Sequence, residues 1–164
     1  MGNCTSETKE DVITIPSHKI KMTSHYTVVY PEHKKRTNSS LYNKTHNELS
    51  NLPCFICGKT KKKDNIIIET HHFYCEKAGT NGIDWIKFGK FAQNCYNIQT
   101  GEHIGSKFDW EKVEKDPEIF VDSKYNMITL CLEHHRSGTK GIHHVPFPEW
   151  ILQKNAKKGF MFLV

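Results

Sequence analysis

The chain has 164 residues, enough for one domain with its own core and too few for two full domains. Its 23 Lys and Arg against 18 Asp and Glu leave a net charge of +5, which permits a polyanionic partner without demanding one. No stretch approaches the ~18 apolar residues of a membrane helix and no signal-peptide core follows the start, so no integral membrane segment is expected and the protein reads as soluble and intracellular, in the cytoplasm or nucleus of a host cell.

Met1 to Ser6 fits the N-myristoylation pattern, with Gly2 as acceptor and Cys4 placed for a second acyl chain. One chain alone anchors weakly, so membrane association is expected only if the terminus is acylated. Val12 to Ile15 and Tyr26 to Tyr30 alternate and read as short strands broken by Pro16 and Pro31. The segment from Lys34 to Ser50 is Asn, Ser, Thr and Lys and reads as a linker or mobile arm, opening on the basic run Lys34, Lys35 and Arg36. Residues 1–52 therefore read as an N-terminal, strand-rich extension with a basic arm, and residues 53–164 as the main domain.

Pro53 to Gly58 reads as a knuckle, followed by a basic turn containing Lys61, Lys62 and Lys63. The β-branched run from Ile66 is too short for a helix and predicts a strand that delivers His71 and His72 at its end. Residues 75–121 form an aromatic-rich insertion, with helices expected over residues 84–93 and 109–115. Its aromatics read as a second core rather than as base-stacking platforms. Asn126 to Cys131 predicts a second strand or turn, with a helix from about Leu132 that Ser137 to Gly141 breaks. A last helix is expected between Pro148 and Lys158, before Gly159.

Two hooks, Cys54-x2-Cys57 and Cys131-x2-His134, supply the four soft or borderline ligands of a tetrahedral zinc site. Four protein ligands leave no place for water or substrate, so this zinc should be structural. A lean apolar fraction of 37% makes such a staple useful. Ligand-spaced cysteines fit a reducing compartment, with Cys4, Cys75 and Cys95 read as free thiols. Catalysis would then fall to His71, His72 and His135, since two imidazoles with open coordination positions suit a divalent ion and a third, neutral one suits proton removal from water.

C-x2-C, His-His, Asn and Leu-Cys-x2-His-His in this order resemble the HNH, or ββα-metal, nucleases, in particular zinc-stapled members of phages and large DNA viruses. The resemblance implies an α+β fold: a small ββα-metal core with structural zinc, here carrying the N-terminal extension and the helical insertion. It implies that His71 and His135 hold the catalytic ion, Mg²⁺ or Mn²⁺, that His72 is the general base, and that Asn126 braces the loop carrying the base. Relatives often add a histidine one turn after His135, where this chain has Thr139, so His143 is a further candidate ligand. The gap from His72 to Asn126 exceeds the compact core of the family, which marks the insertion.

The implied activity is hydrolysis of DNA phosphodiester bonds to 5′-phosphate and 3′-hydroxyl ends, with RNA not distinguished from DNA. Lys34, Lys35, Arg36, Lys61, Lys62 and Lys63 would contact phosphates. One active site cutting both strands favours a homodimer or sequential nicks. A rival from another class is a catalytically inactive, zinc-stabilised nucleic-acid-binding or viral assembly module, tethered through its acylated terminus.

Overall fold

The computed structural model describes residues 18–21, 27–33, 37–158 and 160–163; Gly2, the strand expected at 12–15, and Lys34, Lys35 and Arg36 lie outside them. The described part is α+β: seven short α-helices and one two-stranded antiparallel sheet. The N-terminal extension departs from its sequence reading. Residues 27–30 form no strand, and Val29 stands 89% exposed with no strand beside it among the described residues. The expected linker contains a helix, α1, Ser40–Leu49. Ser39 caps it by accepting from the Tyr42 amide at 2.9 Å, and Thr45 and Leu49, four apart on one face, are buried.

Strand β1, Ile68–His72, pairs with β2, Met127–Cys131, in the register Ile68 with Cys131, Thr70 with Thr129 and His72 with Met127. The short helix α6, Leu132–Arg136, follows β2 directly and packs against both strands. Ile68, Ile128, Leu130, Phe55 and Trp150 form the core beneath them. Each of the buried aliphatic side chains contributes about 1.5–3 kcal/mol relative to exposure.

The knuckle docks on β2 through Phe55 N–H to Thr129 O (2.8 Å) and Thr129 Oγ1 to Pro53 O (2.7 Å). Gly58 closes the turn with φ +70°, where a side chain would be strained, and donates to Cys54 O at 2.9 Å. The four-residue helix α2, Lys61–Asp64, follows, capped by Thr60. Near the C-terminus, α7, Phe147–Leu152, places Trp150 on the core, where its indole N–H donates to His134 O at 3.1 Å. Lys154, just beyond, donates to Phe55 O at 2.6 Å.

The insertion folds around its own core of Trp85, Ile104, Val113, Phe120 and Val121. Helix α3, Trp85–Ala92, supplies Trp85, α4, Trp110–Lys115, supplies Val113, and α5, Glu118–Val121, supplies Phe120 and Val121 before the chain leads back to β2. Most of the aromatics expected to form a second core do so: Trp85 and Phe120 are buried, and the rings of Phe88, Phe108 and Trp110 pack on Phe120, while Phe91 and Tyr96 stay exposed.

Candidate metal centres

Two clusters of metal-ligating side chains stand on this frame among the described residues. The first is Cys54, Cys57, Cys131 and His134, with ligand atoms all within 4.8 Å of one another. Cys131 and Cys54 Sγ lie 3.1 and 3.7 Å from His134 Nδ1. Zinc bonds of about 2.0–2.3 Å give tetrahedron edges of roughly 3.3–3.8 Å, so the cluster is close to the size the ion needs.

The thiol chemistry points the same way. Burial pushes the Cys54 thiol up, but the His134 ring and the backbone N–H groups of Cys57, Cys131 and Ile56 outweigh it and bring it down to about 6. Burial and the neighbouring Cys54 charge push Cys57 up to about 12. Three sulfurs this close stay deprotonated together only around a cation. The four residues could hold a metal ion and are compatible with a structural zinc.

The second cluster is His71, His135 and His143. His71 comes from β1 and His135 from α6. His143 arrives on the loop that doubles back after α6, where Gly141 N–H donates to Ser137 O (2.8 Å) and Ile142 N–H to His134 O (3.1 Å). The doubling back requires glycine: a Cβ on Gly141 would sit 2.6 Å from Ser137 O. His143 Nε2 is 3.1 Å from His135 Nε2, and ring centroids within the trio are 4.8–5.1 Å apart. Adjacent ligand positions around a zinc-sized ion are about 3.0–3.4 Å apart, so the trio is close to the spacing of a shared ion and could hold one. Burial holds His71 down at about 3 and lowers His135, so both rings present lone pairs at neutral pH.

Carboxylates stand behind these rings. Glu69, two residues before His71 and on the same face of β1, places Oε2 2.7 Å from His135 Nδ1 and also takes a bidentate pair from Arg136. That contact makes Nδ1 the protonated nitrogen and leaves Nε2 facing the trio. Glu76 lies 3.6 Å from both His71 Nδ1 and His72 Nδ1.

His72 projects from the other face of β1. Its side chain is 4% exposed, under α1, where the Tyr42 ring lies 6.2 Å away; Thr70 Oγ1 beside it is 3.1 Å from His46 Nδ1. His72 Nε2 is 3.2 Å from Asp122 Oδ1. Burial alone would lower the His72 pKa, but Asp122 and Glu76 overcome it and raise it.

Asn126 is fully buried and ties down the segment after the histidine pair by accepting from the amides of Tyr74 (2.8 Å) and Cys75 (3.1 Å) and donating to Cys75 O and Val121 O (both 2.9 Å). The structure thus brings His71, His135 and His143 together, leaves His72 on the opposite face of β1 against Glu76 and Asp122, and has Asn126 tie down the segment that follows the histidine pair. His144 is exposed and outside the cluster. Lys61, Lys62 and Lys63 form an exposed ridge beside the knuckle.

Glu69, Glu76 and Asp122 were not singled out by sequence. The alternation Glu69-x-His71 on one strand and the four-residue step from His72 to Glu76 could have shown the first two; Asp122 depends on a contact remote in the chain. Among the described residues no helix is long and apolar enough to cross a membrane. No known protein family, no curated protein and no solved structure matches the chain.

Proposed function

We propose that this protein is a metal-dependent endonuclease of the HNH type that hydrolyses phosphodiester bonds in DNA. The observation that carries the reading is the convergence of His71, His135 and His143 at the end of a two-stranded sheet and its following helix, with His72 next in the chain. Cys54, Cys57, Cys131 and His134 would hold one structural zinc. The trio would hold the working ion, which when bound supplies positive charge to phosphate oxygens and the departing oxygen. Three imidazoles suit Mn²⁺ or another borderline ion better than Mg²⁺, which prefers oxygen ligands.

The protein's own groups do the rest. His72 accepts a proton from water as the water oxygen bonds to phosphorus, and the 3′-oxygen leaves with the electron pair of the broken bond and is protonated by solvent. Lys61, Lys62 and Lys63 offer exposed positive charge for backbone phosphates, a contact that positions the duplex without reading sequence. Lys34, Lys35 and Arg36 are proposed to extend that contact, and a homodimer or sequential nicking would complete double-strand cutting.

A second reading is favoured by one observation: His72 is buried beneath α1 and close to two carboxylates, as in a domain that keeps its zinc and no longer cuts. Such a protein would be a nucleic-acid-binding or assembly module, bound to membrane only if Gly2 is acylated. Supercoiled-plasmid nicking in Mn²⁺ separates the two. The enzyme reading expects nicking that His72→Ala abolishes with zinc retained; the module expects binding and no nicking from either protein.

A further inference from the structure

Two rings of the insertion turn outward instead of into its core: Phe91, 56% exposed, and Tyr96, 54% exposed. Neither is loose. Phe91 is braced by the rings of Phe88 and Tyr74, with centroids 5.7 and 6.5 Å away. Tyr96 is braced by the His103 ring at 5.1 Å, and its backbone forms a β-bridge with the same residue. Tyr74 connects the pair, because its ring meets Phe91 while its hydroxyl donates to Tyr96 O at 2.7 Å.

The rings also run back to the ion-binding trio. Phe73 N–H donates to Asn126 O at 2.7 Å, which carries the ladder one residue past β1 and sets Phe73 on the face of the sheet that bears His71. Its ring lies 5.0 Å from Tyr74 and 6.0 Å from Phe147, which follows His143 by four residues and is also exposed. A path of rings through Phe147, Phe73, Tyr74 and Phe91 therefore joins the trio's neighbours in the chain to the outer face of the insertion.

The charge along that face is positive. Lys87 and Lys90 are exposed and stand one turn and one residue before Phe91, and α3 carries no carboxylate from Trp85 to Ala92. Protein interfaces deplete lysine around their buried aromatics, whereas rings set among lysines match bases and phosphates. Bases inside a duplex hide their faces in their own stack, so unpaired bases are the ones that exposed rings can receive.

We propose that Phe91 and Tyr96, with Lys87 and Lys90, form a stacking platform for unpaired bases of single-stranded DNA that leads along Tyr74 and Phe73 to His71, His135 and His143. The assignment rests on the nuclease reading for what happens at the trio. It names the substrate class as DNA with a single-stranded stretch beside the scissile bond, as at a flap, a gap or a frayed end.

The test uses full-length, zinc-loaded protein and fluorescein-labelled oligothymidine or a blunt duplex of equal length, without Mn²⁺ so that nothing is cut. Unmodified protein should bind the strand at least about tenfold more tightly than the duplex. Phe91→Ala combined with Tyr96→Ala should weaken strand binding roughly 10–100-fold and duplex binding less than about threefold. Phe91→Trp keeps a stacking face and should keep the affinity, its added fluorescence quenched by the strand. Lys87→Gln with Lys90→Gln should lower the salt slope of strand binding by about 1.4.

Equal affinity of unmodified protein for strand and duplex overturns the platform, as does a double alanine variant that binds the strand as tightly as before; plasmid nicking in Mn²⁺ by the unmodified protein then leaves the nuclease reading standing. A dimer in sedimentation that the double variant abolishes, with strand binding kept, assigns the rings to a second copy of the chain and overturns the platform too. Strand binding lost as expected, in a protein that never nicks, keeps the platform and overturns the nuclease reading with the substrate class built on it.

Discussion

Replacing Glu69 with alanine isolates the support behind one ring of the trio. The variant removes the 2.7 Å contact to His135 Nδ1 and leaves the ring, 9% exposed, with a proton and no acceptor. Loss of such a carboxylate behind a ligating histidine lowers metal affinity about 10–100-fold, equivalent to roughly 1.4–2.7 kcal/mol. Arg136 also loses its partner, but it is 66% exposed and that pair adds little to stability. Mn²⁺ or Co²⁺ titrated into zinc-loaded protein and followed by calorimetry reads the affinity directly. Glu69→Gln keeps an acceptor and should fall between the alanine variant and the unmodified protein. A folded, zinc-retaining Glu69→Ala protein that binds the second ion as tightly as before would refute the view that Glu69 sets the His135 tautomer.

Cys131→Ser should lose zinc and cooperative unfolding together, while Cys95→Ser, whose buried thiol belongs to the insertion core, should retain one zinc per chain by metal analysis. Gly141→Ala should weaken Mn²⁺ binding at least about tenfold with zinc unchanged, because its Cβ would strike Ser137 O and push His143 out of the trio. His71 adds an acid dependence to the metal-free trio. Its folded pKa of about 3 lies below the unfolded 6.5, so its contribution is complete above pH 6.5 and is lost as pH falls towards 3. At about 1.4 kcal/mol per unit this amounts to a few kcal/mol, and urea unfolding at pH 7 and pH 4 should show a smaller difference in His71→Gln than in unmodified protein.

Local chemistry was legible wherever it depends on neighbours in the chain. The Ile66 to Ile68 run announced β1, the two hooks announced the cysteine cluster, and the aromatic spacing of the insertion announced its core. The extension was misread because its structure depends on distant partners. Val28, Val29 and Tyr30 have the composition of a strand and, among the described residues, no strand beside them. The polar segment holding α1 becomes a helix through the Ser39 cap and through contacts of His46 with Thr70 and Ser39 with Asp122. His143 was offered by sequence only as a further candidate ligand. Half-buried Ile142 packed on the core and the turn at Gly141 bring it to the trio.

The interruption of the sheet by a segment with its own core has a kinetic consequence. β1 and β2 cannot meet as a local hairpin; their pairing waits until the chain between His72 and Met127 has brought its ends together, and loop closure over such a span is slow. Collapse of the intervening aromatic cluster shortens that search by carrying Asp122 and Asn126 back towards the histidine pair. Mutations in the cluster that slow refolding while sparing the unfolding rate would mark it as the folding nucleus on which assembly of the remote hearth of imidazoles depends.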